Sequence, residues 1–300
     1  MTVDRTPGAR AARALCVEVA ATPTPGNVDR HRDLPDLRFE QFLAGAAGAR
    51  AGLDAAAGDA PVGDAFETAV AGMADAAGTN TQFGALLLLV PLVRAAAADD
   101  ITADGARAAV ADTTVADAAG FYRAFEHADV AVSDPPEGLS ELDVRRGADA
   151  IPALERRGLT LADVLARGAP ADGVETLRGD PASLDELGDG NAAEWASGFA
   201  RTFATAERIE TGDGPLADRA ADAFLALLAS GLDTLLAKRH GLDAAREVRE
   251  RARALRDDGA DRDAVESFAD DLVARGWNPG TTADALAAGV FVALERGVDA

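Results

Sequence analysis

Cysteine, lysine and strand patterning are almost missing from this 300-residue chain, and each gap narrows what it can be. A single cysteine, Cys16, excludes an intramolecular disulfide and a cysteine metal cluster. Its neighbours Leu15 and Val17 make it a small core residue. Lys238 is the one lysine; the rest of the basic side is arginine. Asp and Glu number 51 against 29 Lys and Arg, which leaves a net charge of −22. A field of that sign argues against a general DNA or RNA binder. Alanine-rich, acidic and lysine-poor is the composition of a protein adapted to high salt, its carboxylates holding water and cations. The acidity therefore describes the solvent more than the partner. A phosphorylated substrate would need a local arginine cluster or a divalent cation. The charge-free apolar run Ala85 to Val93 is short of the roughly 20 residues that span a bilayer. Arg10, Arg13 and Glu18 interrupt the alanine-rich N-terminal stretch, so it does not read as a secretory signal. The expectation is a cytoplasmic protein with no membrane or nucleic-acid partner. No alternating strand pattern and no fixed-period repeat is found.

Helical signals are plentiful. The chain reads as a single all-α domain of about ten helices, with 48% hydrophobic residues to fill its core. The apolar run at 85–93 predicts a helix buried on all sides, with Asn80 or Thr81 as its N-cap. Polar groups and free N–H donors at the start of such a helix suit an anion. A second core helix is predicted over 215–239, packed against the first. Gly45, Gly48 and Gly52 give one helix a face that a neighbour can approach closely. Phe66, Val70, Met73 and Ala77 form an amphipathic core stripe on the next helix. Thr102, Thr113 and Thr160 read as N-caps. The proline-rich 129–140 reads as a boundary or insertion, and 168–191 as an exposed loop.

Four stretches carry candidate chemistry. Residues 22–33 place Asp29, Arg30, His31, Arg32 and Asp33 after a turn stiffened by Pro23, Pro25 and Gly26. That set suits phosphate or metal, or is simply a charged surface loop. Asp233 directly precedes leucines, so its carboxylate is either buried against a partner or aimed into a cavity. Lys238 and Arg239 suit a helix C-terminus, closed by Gly241. At 278–284, Asn278-Pro279-Gly280 turns the chain, Thr281 reads as a cap, and Asp284 reads as a variant capping-box acid. Glu18, near the end of the first helix, reads as a solvated charge.

Taken together and in order, these stretches resemble the triphosphoribosyl-dephospho-CoA synthase family. Its P-K-P-G-x-V-D turn stands here as Pro23-Thr24-Pro25-Gly26-Asn27-Val28-Asp29, and its N-T-H-K/R-G as Asn80-Thr81-Gln82-Phe83-Gly84. Its D-T-x-x-x-x-R-G-G matches Asp233-Thr234 with Arg239 and Gly241. Its P-G-G-S-A-D matches Pro279-Gly280-Thr281-Thr282-Ala283-Asp284. The resemblance covers 11–97 and 215–296. Departures are Thr24 for lysine, Gln82 and Phe83 for histidine and a basic residue, and His240 for glycine. A histidine position falls on Leu34, while the neighbouring aspartate is kept as Asp36.

The resemblance implies an ATP-dependent transfer, in which a 2′-hydroxyl of dephospho-CoA attacks ribose C1 of ATP and adenine leaves. It implies Asp29, Asp233 and Asp284 as catalytic carboxylates, and Asp29, Asp36 and Asp233 as ligands of the Mg²⁺ expected with ATP. It implies Pro25, Gly26, Arg30, Asn80, Thr81, Gln82, Lys238, Arg239, Gly280 and Thr282 as nucleotide- and substrate-binding groups. All four stretches are expected to converge on one cleft. Two other readings stay open: a different transferase or hydrolase of a nucleotide's N-glycosidic bond, and a non-catalytic helical binding protein. A homodimer is the expected assembly, because small-residue helix faces pack closely, though they serve equally inside a monomer.

Overall fold

The structure, a computed structural model, describes residues 5–132, 135 and 138–299. Among them it is all-α, with only two isolated bridges, Asp29 to Arg32 and Leu34 to Leu37, in the first loop. Thr6 starts α1 (Pro7–Ala20) by accepting from Ala9 N–H, and proline holds its first position. Then come α2 (Phe39–Ala57), α3 (Val62–Ala77) and α4 (Phe83–Ala97). Gly78 ends α3 in the left-handed conformation. Further on lie α5 (Ala103–Ala111), α6 (Val115–Ala124), α7 (Ile151–Arg157), α8 (Leu161–Gly168), α9 (Val174–Arg178), α10 (Leu184–Leu187) and α11 (Gly190–Ala196). The C-terminal part holds α12 (Ala200–Thr211), α13 (Leu216–Ser230), α14 (Thr234–His240), α15 (Leu242–Asp257), α16 (Arg262–Ala274) and α17 (Gly280–Glu295). The expectation of about ten helices misses the short ones of the middle segment, such as the four-residue α10.

Close approach of α2 and α3 follows from their glycines. A Cβ on Gly48 would lie 2.1 Å from the Gly72 carbonyl oxygen, so only glycine lets the backbones meet there. The small-residue face that suggested a dimer is thus used inside the chain. α4 is buried from Ala85 to Val93 as its composition requires. Pro91 within it cannot donate to the Leu87 carbonyl; the indole N–H of Trp195 on α11 does so instead, at 3.2 Å.

The predicted contact between 85–93 and 215–239 is not what holds the centre. α17, buried throughout Ala285–Leu294, packs against α1, α4, α12 and α13, so α4 and α13 both pack mainly on it. Nor is 215–239 one helix. It breaks at Gly231–Asp233 and turns by 59° into α14. Among the described residues no single helix is long and apolar enough to cross a membrane.

Other local expectations shift slightly. Thr102 and Thr160 cap α5 and α8, and the partner of Thr160 is Asp163 in a capping box. The cap of α6 is Thr114, while Thr113 accepts from Ala162 N–H. The stretch 168–191 is not an open loop: it contains α9 and α10, and Gly190 N–H donates to Thr234 at 3.0 Å. Ser133, Asp134, Pro136 and Glu137 of the proline-rich break lie outside the described residues. On either side of it the chain joins one core, with the Tyr122 hydroxyl donating to the Leu142 carbonyl at 2.6 Å.

Candidate active site

One cleft of about 1290 Å³ lies where the C-terminal end of α1, the N-terminal ends of α4 and α17, α6, α8, α11 and α14 meet. That exceeds the roughly 300–1,000 Å³ usual for one small ligand, so two can fit side by side. All four motif stretches contribute to its wall: Asn27; Thr79 to Gly84; Leu235, Lys238 and Arg239; and Asn278, Gly280, Thr281, Ala283 and Asp284.

Not every motif residue faces the space. Asp29 is buried behind the first turn, and its oxygens are taken. Oδ1 accepts from His31 N–H at 2.8 Å; Oδ2 accepts from the Thr22 hydroxyl at 2.9 Å, Thr24 N–H at 3.3 Å and the Arg32 guanidinium at 3.0 Å. Pro25 and Gly26 are buried in the same turn. Gly26 has φ of 80°, and a Cβ there would sit 2.2 Å from the Trp277 carbonyl oxygen, so the turn is pressed onto the 277–279 turn. Arg30 points to solvent away from the cleft.

Asp233 is a second clamp. It caps α14 through Leu236 N–H at 2.8 Å, and its other oxygen accepts from Thr282 N–H at 2.7 Å and the Thr282 hydroxyl at 2.8 Å. The Thr234 and Thr281 hydroxyls, 3.1 Å apart, add to the seam. Together they sew the start of α14 to the start of α17. Burial raises the Asp233 carboxyl, and the three donors and the Arg201 charge offset only part of this. Thr282 is therefore spent on Asp233 and is buried away from the cleft.

Asp284 differs. It does not cap its own helix, as the capping-box pattern suggests; it reaches across to the first turn of α4. There the Ala85 amide donates to it, and the Asn191 side-chain amide donates at 2.9 Å. Gly84 makes this possible, since a Cβ there would fall 2.0 Å from Asp284 Oδ2. Burial lifts the Asp284 carboxyl to about 7; the charges of Asp233 and Asp189 add to this, and the Asn191 and Ala85 donors oppose it.

Three residues that the sequence does not mark as functional complete the wall. Glu18 is only 4% exposed and lines the cleft, rather than lying in solvent. Burial, then the Asp284 charge, push it well above the usual range, and no donor among the described residues compensates. Its spacing was a signal: Ala11, Ala14, Leu15 and Glu18 share one buried stripe of α1. Asp189 caps α11 through Asn191 and Ala192 N–H and pairs with Lys238 at 2.6 Å. Burial would raise Asp189, but Lys238 and the two backbone donors outweigh it and hold it low. Asn191 then links this pair to Asp284. In sequence, Asp189-Gly190-Asn191 looks only like a turn.

Unmade hydrogen bonds collect at this cleft. The Thr81 hydroxyl, both amide atoms of Gln82, Asn27 Nδ2, Asn191 Oδ1 and Asn278 Oδ1 are buried without a partner, and all five residues line it. Buried polar atoms rarely stay unpaired, so these mark where a ligand's own polar groups belong. Asn80 is set differently, accepting from Phe83 N–H at 3.2 Å and donating to the Asp129 carbonyl at 2.9 Å. Arg239 and Asp36 are exposed at the rim. A second, apolar arm is walled by Phe121, Tyr122, Phe125, Leu142 and Val164. Phe83, where the family carries a basic residue, joins this wall with its ring 4.9 Å from Phe125.

For Mg²⁺, the described residues contain no group of three or more His, Cys, Asp or Glu around one point. Mg²⁺ commonly takes one or two carboxylates together with substrate phosphates, so a rim carboxylate such as Asp36 fits a cation brought by a triphosphate. Asp29 and Asp233, expected as ligands, have their oxygens engaged by donors.

The profile of the ATP:dephospho-CoA triphosphoribosyl transferase (CitG) family matches residues 4–177 and 178–299. Among solved structures, a protein from Archaeoglobus fulgidus provisionally identified as a triphosphoribosyl-dephospho-CoA synthase superposes with a TM-score of 0.64 at 25% identity. It covers 86% of this chain and 99% of its own. No curated protein matches.

Proposed function

The chain belongs to the ATP:dephospho-CoA triphosphoribosyl transferase family, and from that premise we propose that its cleft joins the ribose C1 of ATP to the 2′-hydroxyl of dephospho-CoA and releases adenine. Asp284 accepts the proton of the attacking hydroxyl as the new C1–O bond forms and the C1–N9 bond breaks. Its position between the Ala85 amide and Asn191 fixes the carboxylate, and its raised proton affinity suits a base working near neutral pH. Glu18, whose hold on its proton burial strengthens, gives a proton to the departing adenine. Negative charge beside the sugar also stabilises the oxocarbenium character that develops at C1. Lys238 and Arg239 face the triphosphate. Mg²⁺ bound at the rim would neutralise part of the phosphate charge. The apolar arm receives the pantetheine chain of the acceptor.

The observation that carries this reading is the pair of carboxyls, buried Glu18 and half-buried Asp284, lining a cleft large enough for two substrates. Incubation with Mg²⁺-ATP and dephospho-CoA should release adenine and form the coupled product. Asp284→Asn should lower that rate by about 10²–10⁴-fold. Adenine released equally without the acceptor would replace transfer by hydrolysis, and no adenine under either condition would sink the reading.

A further inference from the structure

Gln82 is the cleft residue with the largest unmet demand. Its main chain is fixed: the N–H donates to Met73 Sδ at 3.1 Å, and the carbonyl accepts from Leu86 N–H at 2.9 Å. Its side chain is 3% exposed, yet neither Nε2 nor Oε1 has a partner. Packing has made room for it. A Cβ on Gly45 of α2 would lie 2.5 Å from the Thr81 hydroxyl and 3.3 Å from Gln82 Oε1, so glycine leaves this corner open. A carboxamide held still, dry and unpaired in a cleft is half of a hydrogen-bonded pair.

We propose that Gln82 selects the base of the nucleotide, its carboxamide pairing with the 6-amino group and an adjacent ring nitrogen of adenine. The inference rests on the transferase reading and adds which group recognises the leaving base. A carboxamide presents one donor and one acceptor side by side in a plane. Adenine presents the complementary pair, an amino donor beside a ring-nitrogen acceptor, on both of its edges. A histidine at this position, as in the family's motif, offers its two nitrogens on opposite sides of a ring and cannot make that pairing. Base selection by Gln82 is therefore a property of this chain. The donated Nε2–H also draws electron density from the ring as it leaves C1.

The test compares binding of ATP and purine riboside triphosphate, which lacks only the 6-amino group, by calorimetry. The wild-type protein should prefer ATP by about tenfold or more. Gln82→Leu should weaken ATP by roughly the same factor and bind the two nucleotides within about twofold of each other. Equal affinities in the wild type, or an unchanged preference in Gln82→Leu, would overturn the proposal. Should the leucine variant not fold, the wild-type comparison decides alone. The two readings fail separately. Adenine release without a preference for the 6-amino group removes only the role of Gln82; a clear preference with no adenine release removes only the transferase.

Discussion

Asp29 and Asp233 on one side, Glu18 and Asp284 on the other, are four carboxylates of one molecule placed under opposite conditions. The first two lie inside turns and meet a donor at both oxygens. The second two line the cleft with too few donors, and burial raises both. A carboxylate saturated with hydrogen bonds holds the backbone that surrounds it. One left short of donors holds its proton more tightly, at a cost in stability. Motif membership does not separate the two kinds, since Asp29, Asp233 and Asp284 all belong to motifs while Glu18 does not.

Changes at Lys238 sharpen the contrast most. This lysine belongs to the cleft set and its ion pair with Asp189 leads through Asn191 to Asp284. Lys238→Met should raise KM for ATP by roughly 10–100-fold, the worth of a charged hydrogen bond. Because it is the one lysine, amine-reactive labelling should modify it and the α-amino group alone, and ATP should protect it.

On the clamp side, Asp233→Asn should act on stability. The variant keeps an acceptor for Thr282 but turns an NH₂ toward Leu236 N–H, or the reverse. A loss of about 2 kcal/mol in denaturant unfolding is expected. A variant as stable as the wild type would show that the seam between α14 and α17 is held by something else.

The smallest expected effect is on the pH dependence of melting. Asp284, Glu18 and Asp233 all bind their protons more tightly folded than unfolded. Their contribution is therefore complete below the ordinary carboxylate range and is lost as pH rises through about 7 for Asp284. Asp189, held low, works in the opposite direction, and only at more acid pH. The ligand-free protein should thus melt a few degrees higher at pH 6 than at pH 8, by roughly 2–4 °C per kcal/mol for a chain of this size. Asp284→Asn should flatten that slope. A slope unchanged in the variant would mean that Asp284 is not among the strained carboxyls.

Much of the fold was legible in sequence because its signals are local. The stripe of α3, the all-apolar α4, the Thr102 and Thr160 caps and Gly78 each speak within a few residues. The four motif stretches all reach one cleft, the first through Asn27 alone and the third without Asp233. What stayed hidden is three-dimensional. Nothing local places α17 between α4 and α13, or breaks the 215–239 pattern at Gly231, whose neighbour across the gap is Leu177. The capping reading of Asp284 failed because its partners, Ala85 and Asn191, are remote in sequence. Asp189 and Asn191 sat in a segment that reads as loop until Lys238 and Asp284 are brought against it.

The central claim is that the carboxylates short of donors do the chemistry and the saturated ones hold the frame. Adenine release per folded molecule, measured side by side for Asp284→Asn and Asp233→Asn with Mg²⁺-ATP and dephospho-CoA, tests it most directly. The account predicts a fall of about 10²–10⁴-fold for Asp284→Asn and a rate within roughly threefold of wild type for Asp233→Asn. The opposite order, with Asp233→Asn silent and Asp284→Asn active, would contradict it.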